Sequence, residues 1–131
     1  MDRHAFITSE RQRIWSEYHK RLESLELEGK IYRPTVPHEC DHNGHIYRIM
    51  VSKQQAVDNL LKLSKEQKVG IFSHYIPLHS SKGGIKFGQT CGDMRNTETA
   101  FEQLYRLPLW IGIKTEQIVK VVELIHQAVN Y

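Results

Sequence analysis

Several features are scarce or missing in this sequence, and each absence excludes a class of protein. The 131 residues include two cysteines, Cys40 and Cys91, which lie far apart and outside any CxxC pair. Neither a disulfide framework nor an all-cysteine zinc site is therefore indicated. No stretch is apolar enough for a membrane span or a secretion signal. We expect a cytoplasmic protein with free thiols and no membrane partner.

Charge of one sign is not concentrated in any segment. The 18 lysines and arginines are scattered among 15 aspartates and glutamates, which gives a net charge of +3. Nucleic-acid binding is usually accompanied by a basic block or stripe, so we expect no nucleic-acid partner. A small anionic ligand needs only a few local basic residues and is compatible with this composition.

The residues that are present suit one small domain with alternating elements. The predicted helices are residues 9–28, 52–68, 97–106 and 115–130, and the predicted strands are residues 45–51 and 71–76. Residues 107–111 are predicted as a short strand or an extended segment. Three short strands are too few for a doubly wound sheet. We therefore predict an α/β two-layer sandwich, in which a small, mostly antiparallel sheet has helices mainly on one face and follows a long N-terminal helix.

The first predicted helix carries an apolar stripe at helical spacing, made of Ile14, Trp15, Tyr18, Leu22 and Leu25. Ser9 with Gln12 predicts its start as a capping box, and Gly29 predicts its end. The helix is long for so small a chain and lies near its N-terminus. We expect the apolar face of residues 14–25 to pack against something outside the chain, such as a second copy in a homo-oligomer.

The stretch PHECDHNGH, residues 37–45, gathers imidazole and thiol groups, which zinc prefers. Its members are His38, Cys40, His42 and His45. Their spacing matches no familiar finger, and in an extended chain His45 would point away from the other three. A polar lead-in to the next strand is the favoured interpretation, a metal-binding protein is the weakest alternative, and we predict no metal ligand.

The stretch SHYIPLHSSKGGIKFG, residues 73–88, combines histidines with a lysine- and glycine-containing loop. It matches neither GxxxxGK[ST] nor GxGxxG, so a plain surface loop is favoured on these residues alone. Lysines beside His74 and His79 would still suit a phosphate, because glycine N–H groups can approach an anion closely. No serine or cysteine has an evident base and orienting partner, so no complete active site is visible.

Four stretches taken in order resemble a known family. They are RQRIWSEYHKRL, PHECDHNGHIYRI, GIFSHYIPLHSSKGGIKFG and TETAFEQLYRLPLWIGI. Together they resemble the C-terminal part of the bacterial sugar-nucleotide aminotransferases of the DegT/DnrJ/StrS family, over about residues 10–130. The likeness is closest to the branch that makes dTDP-4-amino-4,6-dideoxygalactose, in which HYIPLH, FG and RLPLW recur in this order.

The resemblance implies a homodimeric enzyme of fold type I that uses pyridoxal phosphate. In this family glutamate donates an amino group to C4 of a dTDP-linked 4-keto-6-deoxyhexose, and the products enter surface polysaccharide and antigen synthesis. The Schiff-base lysine belongs to a large domain that precedes the matching region. Residues 1–131 would then be one domain, with an interdomain-type helix at residues 1–30 and the small α/β domain at residues 31–131.

The absence of that large domain limits what the resemblance implies for this chain. No lysine here matches the catalytic one, so we expect no catalytic residue, no cofactor bound to the chain alone, and no transamination by it. The resemblance implies that His74, Tyr75 and His79, followed by Asn43 and His45, line the sugar-nucleotide pocket through hydrogen bonds. A stand-alone binding or interaction module derived from the same domain stays open as an alternative.

Overall fold

The computed structural model describes residues 3–130. The helices are α1 (Arg3–Arg21), α2 (Glu23–Leu27), α3 (Gln54–Glu66), α4 (Lys82–Phe87), α5 (Arg95–Gln103) and α6 (Thr115–Val129). The strands are β1 (Ile31–Tyr32), β2 (Tyr47–Val51), β3 (Phe72–Ser73) and β4 (Leu104–Leu107), and a 3-10 turn, Leu78–Ser80, precedes α4. None of the described helices combines the length and the apolar content that crossing a membrane requires.

The strands form one antiparallel sheet in the order β1-β2-β4-β3. Its register places Tyr47 opposite Leu107 and Ile49 opposite Tyr105. Successive side chains of a strand point to opposite faces of a sheet, so these residues share one face. All of them are buried, which shows that this face is the inner side of the domain.

Helices α1, α3 and α6 cover the inner face of the sheet. The ring centroids of Trp15 and Tyr18 lie 5.2 Å and 5.3 Å from that of Tyr47, which joins α1 to β2. Helices α3 and α6 pack against each other, and Leu60 and Ile118 belong to the same hydrophobic core. The predicted α/β sandwich, with an antiparallel sheet and helices mainly on one face, is confirmed.

The apolar stripe of the first helix is part of this core and is not a free surface. Its five residues, at positions 14, 15, 18, 22 and 25, are between 0% and 8% exposed. They are covered because α1 packs against β2 and α6 of the same chain. The Tyr18 hydroxyl also donates a hydrogen bond to the carbonyl of Pro108, at 2.9 Å. The expectation that this face mediates homo-oligomer contacts is therefore wrong.

The two ends of the first predicted helix had different outcomes. Its end at Gly29 is confirmed, because Gly29 has φ +68° and the amide of Lys30 donates to the carbonyl of Leu25 at 2.9 Å, as in a Schellman motif. Its start at Ser9 is wrong. Ser9 lies inside α1, and its hydroxyl donates to the carbonyl of Phe6 at 3.0 Å. The predicted single helix is also interrupted at Leu22.

Several strands have bounds that the sequence pattern did not predict. Strand β3 is limited to two residues of the expected 71–76, and β4 begins where the helix predicted at 97–106 was to continue. Strand β1 falls between the helix predicted to end at residue 28 and the strand predicted at residues 45–51, where we predicted no strand. A strand of two residues contains a single alternation, so periodicity cannot reveal it.

The connector that leads into β2, residues 33–46, crosses α1 at very close range. At Gly44, which has φ +59°, an added Cβ would lie 2.8 Å from the carbonyl carbon of Arg11 and 2.9 Å from the amide nitrogen of Gln12. The side-chain amide of Gln12 donates to the carbonyl of His42 at 2.7 Å. The crossing is therefore fixed by a backbone contact that only glycine permits.

We expect Gly44→Ala to lower the free energy of unfolding by about 2–4 kcal/mol, because a left-handed conformation and a backbone clash add together. Gly29→Ala is the matched control, since Gly29 has φ +68° but no atom within 4 Å of the added Cβ. Gly29→Ala should lower the free energy of unfolding by only about 1 kcal/mol. Urea unfolding of both variants measures the difference, and equal losses would show that the close crossing is unimportant.

The second residue beyond the end of helix α3 has a strained backbone conformation. Lys68 has φ +54°, the only positive φ of a non-glycine residue within residues 3–130. The amide of the next residue, Val69, donates to the carbonyl of Ser64 at 2.9 Å. Lys68 thus occupies the position after the helix that glycine normally fills.

Lys68→Gly should raise the free energy of unfolding by about 0.5–1 kcal/mol. The left-handed conformation strains lysine but not glycine, and the strain energy removed exceeds the free energy lost through the greater entropy of the unfolded chain. Lys65→Gly, the same change inside α3, should lower the free energy of unfolding by about 1 kcal/mol. Thermal and urea unfolding would compare the two variants. A loss of stability in both would refute the assignment of strain to Lys68.

Candidate functional site

The predicted site residues fall into two groups at different ends of the sheet. One group is His74, Tyr75 and His79, and the other is Asn43 and His45. The amide of His74 donates to the carbonyl of Leu104, which lies opposite Met50 on β2. His45 precedes Tyr47, at the start of the same strand. Because a strand rises about 3.4 Å per residue, roughly 10 Å separates the levels of Tyr47 and Met50.

His74 and Tyr75 lie against each other directly after β3. Their ring centroids are 4.9 Å apart, and Tyr75 is 72% exposed. His74 Nδ1 is buried without a hydrogen-bond partner among the described residues. A small cavity of about 140 Å³ adjoins both rings. His74 therefore retains an unused polar atom next to an exposed aromatic ring.

Arg106 belongs to the same group, although the sequence did not single it out. Its guanidinium carbon lies 5.1 Å from the centroid of the Tyr75 ring, a cation–π contact. The residue was visible within the RLPLW stretch. Its position beside Tyr75 depends on the pairing of β3 with β4, in which Phe72 lies opposite Arg106.

His79 lies in the 3-10 turn and faces a larger space. Its Nε2 is 3.4 Å from a carboxylate oxygen of Glu98 on α5, and its side chain is 16% exposed. The adjoining cavity of about 910 Å³ is also lined by Thr97 and Cys91. A histidine oriented by a carboxylate at the margin of such a cavity is suited to hydrogen-bond a polar ligand.

The glycine-containing loop is more regular than predicted, because residues 82–87 form helix α4. Ser81 caps this helix by accepting a hydrogen bond from the amide of Gly84 at 3.0 Å. An added Cβ on Gly84 would lie 1.7 Å from the carbonyl oxygen of Leu78. Gly84 therefore allows α4 to fold back on the preceding turn, and its role does not require a phosphate.

Asn43 and His45 are exposed at the start of β2. The side-chain oxygen of Asn43 accepts a hydrogen bond from the amide of His45 at 3.0 Å, which forms a local turn. No hydrogen bond joins either residue to His74, Tyr75 or His79 in the part of the chain that the structure describes. Their assignment to the pocket stays a prediction that would require a ligand, or another domain, to extend across the sheet.

The cysteine and histidine residues before β2 are separated rather than clustered. The His42 ring packs on Trp15 with centroids 4.4 Å apart, and its Nδ1 accepts a hydrogen bond from the amide of Gly44 at 3.2 Å. His38 lies beside Glu39, and Cys40 is exposed. Within residues 3–130 no group of three or more His, Cys, Asp or Glu side chains is arranged to hold a metal ion.

A charged cluster that no sequence motif indicates joins the connector to the first two helices. Arg33 contacts Glu26 twice, through its Nε and through its backbone amide, each at 2.7 Å, and its Nη1 donates to the carbonyl of His19. These bonds lower the pKa of Glu26, with the backbone N–H as the largest cause. No sequence pattern relates Arg33 to α1, because the contact depends on the chain reversal at Gly29.

His19 packs against aromatic rings beside this cluster. Its ring stacks on Trp15 with centroids 4.6 Å apart, and its Nδ1 lies 3.3 Å from the hydroxyl of Tyr47. Burial, followed by the nearby Arg33 guanidinium, lowers the pKa of His19 below its ordinary value of 6.5. The unfolded chain therefore binds this proton more readily than the folded protein does.

The sign of this pKa shift predicts a loss of stability in mild acid. The contribution of neutral His19 is complete above pH 6.5 and declines as the pH falls toward the lowered pKa of the folded state. We expect wild type to lose more free energy of unfolding than His19→Gln between about pH 7.5 and about pH 5.5. Urea titrations at both pH values measure this, and identical losses would contradict it.

Solved structures place the fold among the aminotransferases. The aminotransferase TlmJ from Streptoalloteichus hindustanus superposes with a TM-score of 0.82 at 17% identity, over 98% of this chain and 33% of that one. DesV from S. venezuelae, in complex with a ketimine intermediate, gives 0.82 at 18% identity, over 97% and 33%. NtdA from Bacillus subtilis, with bound cofactor PMP, gives 0.80 at 22% identity, over 96% and 29%.

The sequence identifies the family. Residues 1–126 match the model of the DegT/DnrJ/EryC1/StrS aminotransferase family, and the chain belongs to this family. MJ1066, an uncharacterized protein of Methanocaldococcus jannaschii, is 27% identical over 124 residues, which cover 92% of this chain and 31% of that protein. The chain thus spans about a third of the length of the relatives it matches. The predicted family is confirmed, while the dTDP-4-amino-4,6-dideoxygalactose branch stays a prediction.

Proposed function

We propose that this chain is the C-terminal small domain of a pyridoxal-phosphate-dependent sugar-nucleotide aminotransferase and forms one wall of its substrate pocket. The observation that carries the proposal is the family match over residues 1–126 in a chain about a third as long as its relatives. The other two-thirds of a full-length relative would contain the large domain. The large domain would act with this chain either as part of the same polypeptide or as a separate partner protein.

The described lysines do not fit the cofactor's Schiff-base role, which requires an amine held in an enclosed site. Every lysine within residues 3–130 is exposed except Lys30. The Nζ of Lys30 lies 2.6 Å from a carboxylate oxygen of Glu28 and also contacts Asn130. No chemical step through pyridoxal phosphate follows from these residues. The cofactor would supply the electron sink from the large domain.

The proposed reaction transfers an amino group from glutamate to C4 of a dTDP-4-keto-6-deoxyhexose, for surface polysaccharide or antigen synthesis in the cytoplasm. On this chain His74, Tyr75 and His79 would hydrogen-bond the sugar hydroxyls or the pyrophosphate. Two features support this assignment, namely the cavity beside His79 and the unpaired Nδ1 of His74. Asn43 and His45 would contact the ligand only at the far end of the sheet.

A second candidate function is a stand-alone interaction module, and one observation favours it. Large apolar side chains are exposed around the 3-10 turn and α4, with Leu78 at 85%, Phe87 at 81% and Ile85 at 73%. Such a patch is typical of a surface that another protein covers. Under the first proposal the large domain would cover it, and under the second a separate protein would.

One experiment on the purified chain separates these functions. With pyridoxal phosphate, glutamate and a dTDP-4-keto-6-deoxyhexose present, we expect no amino sugar, because no described lysine fits the catalytic role. We also expect the dTDP-sugar to shift the NMR amide signals of residues 74–79. Formation of amino sugar would overturn the proposed division between domains. Unchanged signals at millimolar ligand would favour the interaction module instead.

A further inference from the structure

The sheet has an outer face that α1, α3 and α6 do not cover. Arg48 and Arg106 alternate with the buried residues of β2 and β4, so their side chains point to this outer face. Phe72 on β3 is 65% exposed, and Tyr32 on β1 is 56% exposed. The outer face therefore presents two half-buried basic groups between accessible aromatic rings.

The two arginines stand directly opposite each other on neighbouring strands. Like charges in directly opposed positions destabilise an antiparallel pair. Neither guanidinium forms a salt bridge with any carboxylate in the part of the chain that the structure describes. On the helical side, by contrast, Arg21 lies 3.0 Å from Glu17. The outer face holds paired positive charge without a counterion.

We propose that Arg48 and Arg106 bind the diphosphate group of a nucleotide sugar. Guanidinium groups match phosphate oxygens in geometry and charge, and a bound dianion would remove the repulsion across the strands. The Tyr75 ring, 5.1 Å from the Arg106 guanidinium carbon, restricts the orientation of that side chain. Tyr75 also contacts His74, so the anion site is continuous with the proposed sugar-binding group.

The identity of the ligand as a nucleotide sugar rests on the proposed function, whereas the charge argument by itself specifies only a phosphate dianion. The test therefore begins with inorganic pyrophosphate and the full chain. Calorimetry at constant ionic strength should show binding to wild type. Arg48→Gln and Arg106→Gln should each weaken it on the order of tenfold or more, the effect of losing charged hydrogen bonds.

Arg21→Gln is the matched control, because it removes the same charge from α1 on the opposite side of the sheet. It should leave pyrophosphate affinity unchanged. Arg106→Lys keeps the charge but loses the planar fork, so it should bind with intermediate affinity. Thermal unfolding without ligand verifies that each variant is folded. Absent binding, or equal losses in Arg21→Gln and Arg48→Gln, would overturn the anion site.

A competition measurement identifies the source of the anion. Unlabelled dTDP should displace pyrophosphate from wild type, and failure to compete would refute a nucleotide-sugar ligand. The competition result does not depend on whether the chain belongs to an active aminotransferase. If the dTDP-sugar leaves the NMR signals of residues 74–79 unchanged while pyrophosphate still requires both arginines, the proposed function fails and the anion site remains.

Discussion

The packing of Tyr47 between α1 and the sheet is the contact on which the rest of this domain depends. Tyr47 contributes a ring from the first residue of β2, and Trp15 and Tyr18 meet it from the helix. Burial raises the pKa of Tyr18 and of Tyr47, so both hydroxyls stay protonated. The Tyr18 hydroxyl donates a hydrogen bond to the carbonyl of Pro108, just after β4. The same few rings thus hold together the beginning, middle and end of the chain.

This packing also makes the two faces of the sheet unequal. Helix α1 is amphipathic, and its apolar stripe is buried against the inner face of the sheet. Helices α3 and α6 contribute to the same hydrophobic core. The outer face is covered only in part, because α5 contacts β2 and β3 while Phe72 and Tyr32 stay exposed. The groups suited to ligand binding, Arg48, Arg106 and Tyr75, are consequently concentrated on the side that the core does not use.

The sequence predicted those parts of the structure that local periodicity encodes. Helices α3 and α6 follow from apolar spacing, the core strand β2 from its β-branched and aromatic content, and the role of Gly29 from its place after a helix. Periodicity shows that the stripe of α1 is buried but not what covers it, so the predicted partner was wrong. Arg48 lies opposite Arg106 because of the strand register, and Arg33 lies beside Glu26 because the chain reverses direction. Neither contact can be recognised from a local sequence pattern.

The sheet order places β1 and β3, each two residues long, at the two outer margins. An edge strand of two residues offers few unpaired N–H and C=O groups to a strand of another molecule. The longer strands β2 and β4 are enclosed between them. The domain can therefore leave an aromatic sheet face accessible to ligands while giving little template for edge-to-edge aggregation.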